Sequence, residues 1–231
     1  MVRLFIDAPL GEGQTAKLEK DQSHYLSGVM RMGLGDALEV FDGRTGVYGA
    51  EIVGGSKRSV ELAIGARTAP LRKPPDLWLL FAPIKKARTD FIVEKAAEMG
   101  AARILPVRTD HTNSERIRRD RLQAHAVEAA EQCGGTFVPE VAEMQTLSSA
   151  LDALGNRALI FCDEALAGEA QAPLPPAPAA ILIGPEGGFS GAERAMLRTR
   201  ATAVSLGPRI LRADTATVAA LTLWQRERGD W

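Results

Sequence analysis

Two glycine–proline loops contain the residues best suited to chemistry. One reads Gly184-Pro185-Glu186-Gly187-Gly188, the other reads Gly207-Pro208-Arg209-Ile210-Leu211-Arg212, and each follows a short apolar run. Glycine lets a backbone come close to a ligand, and proline holds a loop in a fixed shape. Open α/β sheets bind ligands at the carboxyl ends of their parallel strands. The sequence therefore predicts a ligand pocket formed by these two loops.

Four charged residues accompany these loops: Glu186, Arg209, Arg212 and Asp214. A strand-to-helix turn explains the glycines around Glu186, whereas a carboxylate at this place suits a cationic ligand. Because the loop has neither phosphate-binding glycine pattern and carries an acid, nucleoside triphosphates and dinucleotides are disfavoured. Arg212 is either a solvated charge beside a helix or a site residue, and Asp214 is a helix N-cap candidate.

Apolar runs alternating with helical patterns indicate the elements that position the loops. The runs are short and nearly continuous, as in strands buried on both faces of a parallel sheet. They cover residues 77–82, 104–107, 158–162, 180–183 and 203–206. Helices are predicted from about Thr89 to Gly100 and over about 115–133, and Ser190 with Glu193 forms a capping box. The pattern predicts an α/β domain.

The first third of the chain has a different pattern. Short strands at 3–7, 37–41, 47–52 and 60–64 alternate with glycine turns, which predicts a small antiparallel barrel. Three prolines within 67–76 indicate a linker. We therefore expect one domain over 1–69 and a second over 76–231. The proline- and alanine-rich stretch 168–179 is predicted to be a surface loop between strands.

Composition excludes several classes of protein. The 231 residues are 45% hydrophobic and 25% charged with a net charge of -1, so the chain is globular and has no overall basic field for nucleic acid. Cys133 and Cys162 stand apart without metal-ligand spacing, so we predict no metal site, no disulfide framework and a reducing cytosol. No signal segment and no run of 18 apolar residues is present, and no membrane association is predicted.

Local basic patches remain available for an RNA. The densest run contains Arg116 and Arg119, and Lys85 lies at another predicted strand end. Such runs usually form solvated helix faces, but they contact a phosphate backbone where they converge. His24 and Arg31 in the first domain leave both a structural and a functional interpretation open, whereas His111 and His125 lack ligand spacing and are interpreted as non-catalytic.

The motifs together resemble those of a known family. The matching residues are His24-Tyr25-Leu26, Glu94-Lys95-Ala96-Ala97-Glu98-Met99-Gly100, Glu128-Ala129-Ala130-Glu131-Gln132 and both glycine–proline loops. Over nearly its whole length the chain resembles the RsmE family, the bacterial 16S rRNA uridine-N3 methyltransferases of the SPOUT superfamily. The two loops are the most specific part of the resemblance.

The resemblance implies a fold, a reaction and partners. It implies a PUA-like RNA-binding barrel followed by an α/β domain with a trefoil knot, S-adenosyl-L-methionine (SAM) as cofactor with S-adenosyl-L-homocysteine as product, and no metal. It also implies a cytoplasmic homodimer that methylates uridine 1498 of 16S rRNA in the small ribosomal subunit. The alternatives are a SPOUT methyltransferase for another RNA site and a non-catalytic ribosome-assembly factor that binds RNA.

The resemblance also assigns residues. The catalytic candidates are Arg212, Asp214 and Glu186. The cofactor contacts are Ile183, Gly184, Glu186, Gly187, Leu206, Gly207, Ile210, Leu211 and Ala216. The RNA contacts are Arg3, His24, Arg31, Lys85, Arg116 and Arg119.

Two segments depart from the family pattern. Arg212-Ala213-Asp214-Thr215 stands where the family usually has Arg-Thr-Glu-Thr, and it keeps a carboxylate on a shorter stem. Gln132-Cys133-Gly134-Gly135 stands where the family often has Gln-Ser-Gly-Arg, and it lacks that basic side chain.

Overall fold

The computed structural model describes residues 1–114, 116–170 and 172–231, which fall into two compact units. The first unit is Met1–Lys73 with Ala130–Val138, and the second is Pro74–Ala129 with Pro139–Trp231. Glu115, the predicted start of the second long helix, and Gln171 in the predicted surface loop lie outside the described residues. The segment Ala130–Val138 joins the first unit through the burial of Ala130 with Phe41 and Val47, a contact that the local sequence pattern did not indicate.

The first unit contains a five-stranded sheet in the order β1-β3-β4-β5-β2. Its elements are β1 (Arg3–Phe5), β2 (Thr15–Lys17), α1 (Lys20–His24) with a π-helical turn (Tyr25–Val29), β3 (Ala37–Phe41), β4 (Gly46–Ser56) and β5 (Ser59–Pro70). The prediction of an antiparallel barrel is wrong for one pair, because β1 lies parallel to β3. The remaining pairs are antiparallel, and β5 continues through Pro70, into the stretch predicted to be a linker.

Asp42, directly after β3, organises the turn that leads to β4. Its carboxylate is almost fully buried and accepts hydrogen bonds from the Thr45 hydroxyl (2.6 Å) and from the backbone N–H groups of Thr45, Arg44 and Leu10 (2.7, 2.8 and 3.0 Å). Burial alone raises the pKa of this carboxyl group, but the hydrogen bonds outweigh burial, and the pKa lies below 3.8.

We expect Asp42→Asn to destabilise the first unit by about 2 kcal/mol at pH 7, since an amide N–H then faces donors. Because folding lowers the pKa of this carboxyl group, its ionised form stabilises the folded protein above pH 3.8. This stabilisation is lost as the pH falls through the pKa of the folded state. The difference in free energy of unfolding between the parent and Asp42→Asn should therefore become smaller below pH 3.8. Hydrogen exchange of the β3 and β4 amides measures it, and a gap that does not change with pH would contradict the ionic role.

The second unit is an α/β domain whose described residues form a parallel sheet in the order β12-β10-β11-β6-β7-β8, with β9 also paired to β7. Its elements are β6 (Leu77–Phe81), α2 (Lys86–Glu98), β7 (Arg103–Arg108), α3 (Arg119–Gln132), β8 (Glu140–Val141), β9 (Gln145–Thr146), α4 (Leu147–Asp152), β10 (Ala158–Cys162), β11 (Ala179–Ile183), α5 (Gly191–Arg200), β12 (Ala201–Val204) and α6 (Ala213–Arg228).

The buried runs confirm the predicted parallel strands. All five residues of β11 and four of the five residues of β6 and β10 are buried, as expected for strands covered on both faces. On one face Leu80, Leu182 and Phe161 belong to a core that Leu197 of α5 also enters. The sheet thus provides a rigid platform for the loops at its carboxyl edge.

Several element boundaries differ from the predictions. The helix predicted over about 115–133 begins at Arg119, and residues 116–118 are not helical. α2 begins at Lys86 rather than near Thr89, since the N–H groups of Arg88 and Thr89 already bond to the Lys85 carbonyl (2.9 and 3.0 Å). The Thr89 hydroxyl bonds both the N–H and the C=O of Ile84 at 3.0 Å. β12 ends at Val204, two residues before the predicted end, so Leu206 lies in the loop. α6 begins at Ala213 with Arg212 as its N-cap residue, which places Asp214 in the first turn and not at the cap.

The stretch 168–179 is anchored and not wholly a surface loop. Leu174 is buried. The carbonyl groups of Leu174 and Pro175 accept hydrogen bonds from Arg228 Nε (2.7 Å) and Trp224 Nε1 (3.0 Å) of α6. No helix in the described part of the chain has the length and apolar character required to cross a membrane.

Candidate functional site

The carboxyl ends of three neighbouring strands enclose a cavity of about 370 Å³. In the sheet β10 lies between β12 and β11, so the loops that follow these strands lie side by side. All nine predicted cofactor positions line this cavity: Ile183, Gly184, Glu186, Gly187, Leu206, Gly207, Ile210, Leu211 and Ala216. The chain thus brings together residues that are far apart in sequence, as the strand-end rule indicates.

The third wall of the cavity was missed by the sequence analysis. It includes Cys162, the last residue of β10, and Asp163, Glu164 and Ala167, which follow this strand. The Asp163 carboxylate is fully buried. It forms an ion pair with Arg194 Nε (3.1 Å) and accepts a hydrogen bond from the Arg198 guanidinium (3.0 Å), both on α5. A signal was present, because the two acids come directly after an apolar run that was predicted to be a parallel strand.

The loop after β11 has the predicted helix cap and a close approach to a ring. The Ser190 hydroxyl accepts from the Glu193 N–H (3.3 Å), and the Glu193 carboxylate accepts from the Ser190 N–H (3.0 Å). A Cβ atom on Gly184 would lie 2.6 Å from Cε2 of Phe189, whose buried ring packs edge-on against Phe161. Packing against Phe189 therefore requires glycine at this position, in addition to any approach to a ligand.

His111 fixes the same loop from a fourth segment. Its Nδ1 lies 2.9 Å from the Gly187 carbonyl oxygen, which can only accept, so Nδ1 carries the proton. A Cβ atom on Gly187 would lie 3.2 Å from the His111 Cβ atom. The interpretation of His111 as non-catalytic is compatible with this geometry, but its role in positioning the loop was not indicated by the sequence.

The loop after β12 depends on one glycine conformation. Gly207 has φ +107°, which side-chain-bearing residues rarely adopt, although no atom lies within 4 Å of its Cβ position. Its carbonyl accepts from the Gly168 N–H at 3.0 Å. Further along the loop, the N–H groups of Ile210 and Leu211 have no hydrogen-bond partner among the described residues. They are available to a bound molecule.

The three catalytic candidates are placed differently. Glu186 and Arg212 line the cavity, and both are exposed. Asp214 is not among the lining residues. Its carboxylate pairs with Arg88 of α2, with 3.2 Å between Oδ2 and the guanidinium nitrogen. Glu186 and Arg212 can therefore contact a molecule in the cavity, whereas the Asp214 carboxylate is already paired with Arg88.

Comparison with known proteins connects this cavity to a family. A model described as an RNA methyltransferase domain matches residues 72–225, and a model described as an RNA methyltransferase PUA domain matches residues 18–65. The Synechocystis protein named ribosomal RNA small subunit methyltransferase E is 31% identical over 90% of this chain and 71% of its own length. The chain belongs to the RsmE family.

A further relative and two solved structures match over most of their length. The Rickettsia conorii protein of the same name is 28% identical over 95% of this chain and 93% of its own. A methyltransferase from Legionella pneumophila, solved with bound SAM, has a TM-score of 0.90 at 28% identity and covers 100% of this chain and 99% of its own. The Neisseria gonorrhoeae methyltransferase E, also solved with SAM, has a TM-score of 0.89 at the same identity and coverage.

The predicted RNA contacts of this RsmE-family chain fall into two groups. His24, Arg31, Lys85 and Arg116 have exposed side chains. Arg3 and Arg119 already donate to backbone carbonyls, Arg3 to Gly134 and Gly135 (3.2 and 2.8 Å) and Arg119 to Val141 (2.8 Å). Gly134 and Gly135 belong to the segment that departs from the family pattern, and here they serve as acceptors for Arg3.

The two cysteines of this RsmE-family chain should differ sharply in reactivity. Cys133 is exposed, whereas burial raises the pKa of the Cys162 thiol to about 12. The thiolate is the reactive form, so iodoacetamide at pH 8 should label Cys133 alone in the native protein, and both residues in urea. Peptide mass mapping measures this. Native labelling of Cys162 at the rate of Cys133 would contradict its burial.

Proposed function

We propose that this RsmE-family protein is a SAM-dependent methyltransferase that modifies N3 of a uridine in 16S rRNA, uridine 1498 in standard numbering. The observation that carries the proposal is the cavity at the three strand ends, with all nine expected cofactor positions on its walls. The family membership supports the reaction class, and the cavity is the proposed binding site for the methyl donor.

The residues of the cavity fit SAM. Ile183, Leu206 and Leu211 supply apolar surface for the adenosyl group, and the unpaired N–H groups of Ile210 and Leu211 are donors for its polar atoms. The cavity volume of about 370 Å³ lies within the range of about 300–1,000 Å³ that is typical of small-molecule pockets. The Glu186 carboxylate complements a positively charged sulfonium, which agrees with the prediction of a cationic ligand.

The acceptor atom sets the remaining requirements. SAM supplies an electrophilic methyl group on a positively charged sulfur. The N3–H proton of uracil must leave, and its electron pair must remain on N3 to form the new bond to carbon. The protein therefore has to hold N3 in line with the methyl group, stabilise the negative charge of the ring, and accept a proton.

Arg212 is the proposed electrostatic residue. Its exposed guanidinium group lies on the cavity wall and makes no hydrogen bond within the described part of the chain. A planar fork of N–H donors can bond a uracil carbonyl oxygen, where negative charge accumulates as N3 is deprotonated. Arg212 thus stabilises the transition state more than the bound substrate.

Glu186 is the better placed of the two proposed proton acceptors. It lines the cavity with a free carboxylate, directly or through water within reach of a substrate there. Asp214 shares its charge with Arg88, which makes it a positioning residue for the start of α6. The shorter carboxylate of this chain, compared with the family pattern, is consistent with a role within the helix turn.

The biological setting is part of the proposal. The near-neutral net charge gives little affinity for a short strand, so we expect the assembled small subunit to be the substrate. A homodimer and a cytoplasmic location follow from the family resemblance and stay predictions.

The test is methyl transfer from labelled SAM to small subunits that lack the modification, followed by mapping of the modified nucleotide. The proposal expects label at N3 of one uridine. Fully modified subunits serve as the control and should take up none.

Two results would overturn the proposal. Label at a different nucleotide would assign the protein to another RNA site. Tight SAM binding without any methyl transfer to assembled or partly assembled subunits would indicate an assembly factor.

A further inference from the structure

A second cavity of about 250 Å³ adjoins the first. The two share Pro185 and Glu186, which stand on a wall of each. Because Glu186 lines both cavities, molecules bound in the two cavities would lie on either side of one residue. A methyl transfer needs two sites in this relation, one for the donor and one for the acceptor.

Two unpaired lysines give the second cavity a positive rim. Lys85 and Lys86, at the start of α2, both line the cavity and are exposed. Neither ammonium group has an ion-pair or hydrogen-bond partner among the residues that the structure describes. Two adjacent free ammonium groups attract an anion, and a phosphate is the anion that a nucleotide carries.

The rest of the lining suits a base. Pro83, Ile84 and Pro185 are buried residues that give the cavity an apolar surface. Asn113 and Ser114 add hydrogen-bonding groups that can both donate and accept. A base in a single-stranded RNA region is recognised in this way, by contact with its face and hydrogen bonds to its edge.

We propose that the second cavity holds the acceptor nucleotide, with its phosphate on Lys85 and Lys86 and its base edge on Asn113 and Ser114. The inference rests on the proposed function and extends it, because it assigns Lys86, Asn113 and Ser114 to substrate recognition. The target base leaves its stack to enter the cavity, as in other enzymes that modify a base. Its N3 and a neighbouring carbonyl oxygen then face the first cavity, whose walls include Glu186 and Arg212.

The test compares Lys86→Gln and Asn113→Ala with Lys95→Gln. The control removes the same charge from the same helix, outside both cavities. Three quantities are measured: the SAM dissociation constant by calorimetry, small-subunit binding as a function of salt, and methyl transfer at saturating SAM.

Lys86→Gln should weaken small-subunit binding at least tenfold and lower the slope of log affinity against log salt by about 1, the effect of one lost phosphate contact. Asn113→Ala should lower the methyl-transfer rate at saturating subunits about tenfold with an unchanged salt slope, since it acts on the base. SAM binding should stay within about twofold of the parent in both variants, and Lys95→Gln should match the parent throughout.

Two outcomes would overturn the inference. If the variants weaken SAM binding and leave the salt slope unchanged, the second cavity is part of the donor site. If both behave like Lys95→Gln, it holds no RNA. Loss of subunit binding and of its salt slope in Lys86→Gln would support the cavity assignment even if the parent methylated no uridine, so failure of the proposed function is seen separately.

Discussion

Replacing Arg212 with alanine is expected to lower the turnover rate by roughly 10²-fold or more, as does the loss of other groups that stabilise developing negative charge. Because the side chain acts in the transition state, SAM and small-subunit affinities should change little. Arg212 is the N-cap residue of α6 through its backbone, and its carbonyl accepts from Ala216 in any variant. The fold should therefore persist, which thermal unfolding checks.

Lysine at position 212 should restore only part of the rate, because it keeps the charge without the planar fork. Arg226→Ala, which removes an exposed arginine from the last turn of the same helix, serves as the control. Single-turnover methyl transfer at saturating SAM and subunits measures the rate. A normal turnover rate of Arg212→Ala would show that another residue stabilises the negative charge on the uracil ring.

Replacing Gly207 with alanine is expected to weaken SAM binding by at least roughly tenfold, which corresponds to about 1.4 kcal/mol. Space is not the reason, because no atom lies within 4 Å of the Cβ position. The reason is φ +107°, a conformation that costs a residue with a side chain of order 1–3 kcal/mol. The loop then relaxes, and the N–H groups of Ile210 and Leu211 leave their positions.

Gly191 provides a matched control, since its Cβ position is also open and its φ is ordinary. Gly191→Ala should bind SAM like the parent and keep the α5 cap formed by Ser190. Calorimetry with SAM compares the two variants. If Gly207→Ala and the parent bound SAM with equal affinity, the backbone of this loop would not contribute to cofactor binding.

The sequence predicted the platform because its signals were local. Strands β6, β10 and β11 are continuous apolar runs, and a parallel strand buried on both faces has no polar side to alternate with. Once the strands were known, the rule for their carboxyl ends placed the two glycine–proline loops beside each other. The individual cofactor positions came from the family resemblance, and the rule supplied only the expectation that the two loops form one pocket.

The remaining parts depend on contacts that no local pattern encodes. The parallel pairing of β1 with β3 results from long-range packing, and Thr89 bonds to Ile84 in place of capping its helix. The second cavity needs Asn113 from beyond β7 beside Lys86 of α2, and neither residue type indicates its neighbour. Asp163 was not predicted as a site residue, because its ion pairs with Arg194 and Arg198 join residues more than 30 positions apart.

The ion pairs of Asp163 make one side of the first cavity fixed and leave the other adjustable. They tie the segment after β10 to α5, so the walls after β10 and β11 form a single block. The remaining wall follows β12, which in the described part of the chain pairs with β10 alone at the sheet margin. The Gly168–Gly207 hydrogen bond ties this wall to the segment after β10. We therefore expect residues 205–211 to move more readily than this block when spent cofactor is exchanged for fresh cofactor.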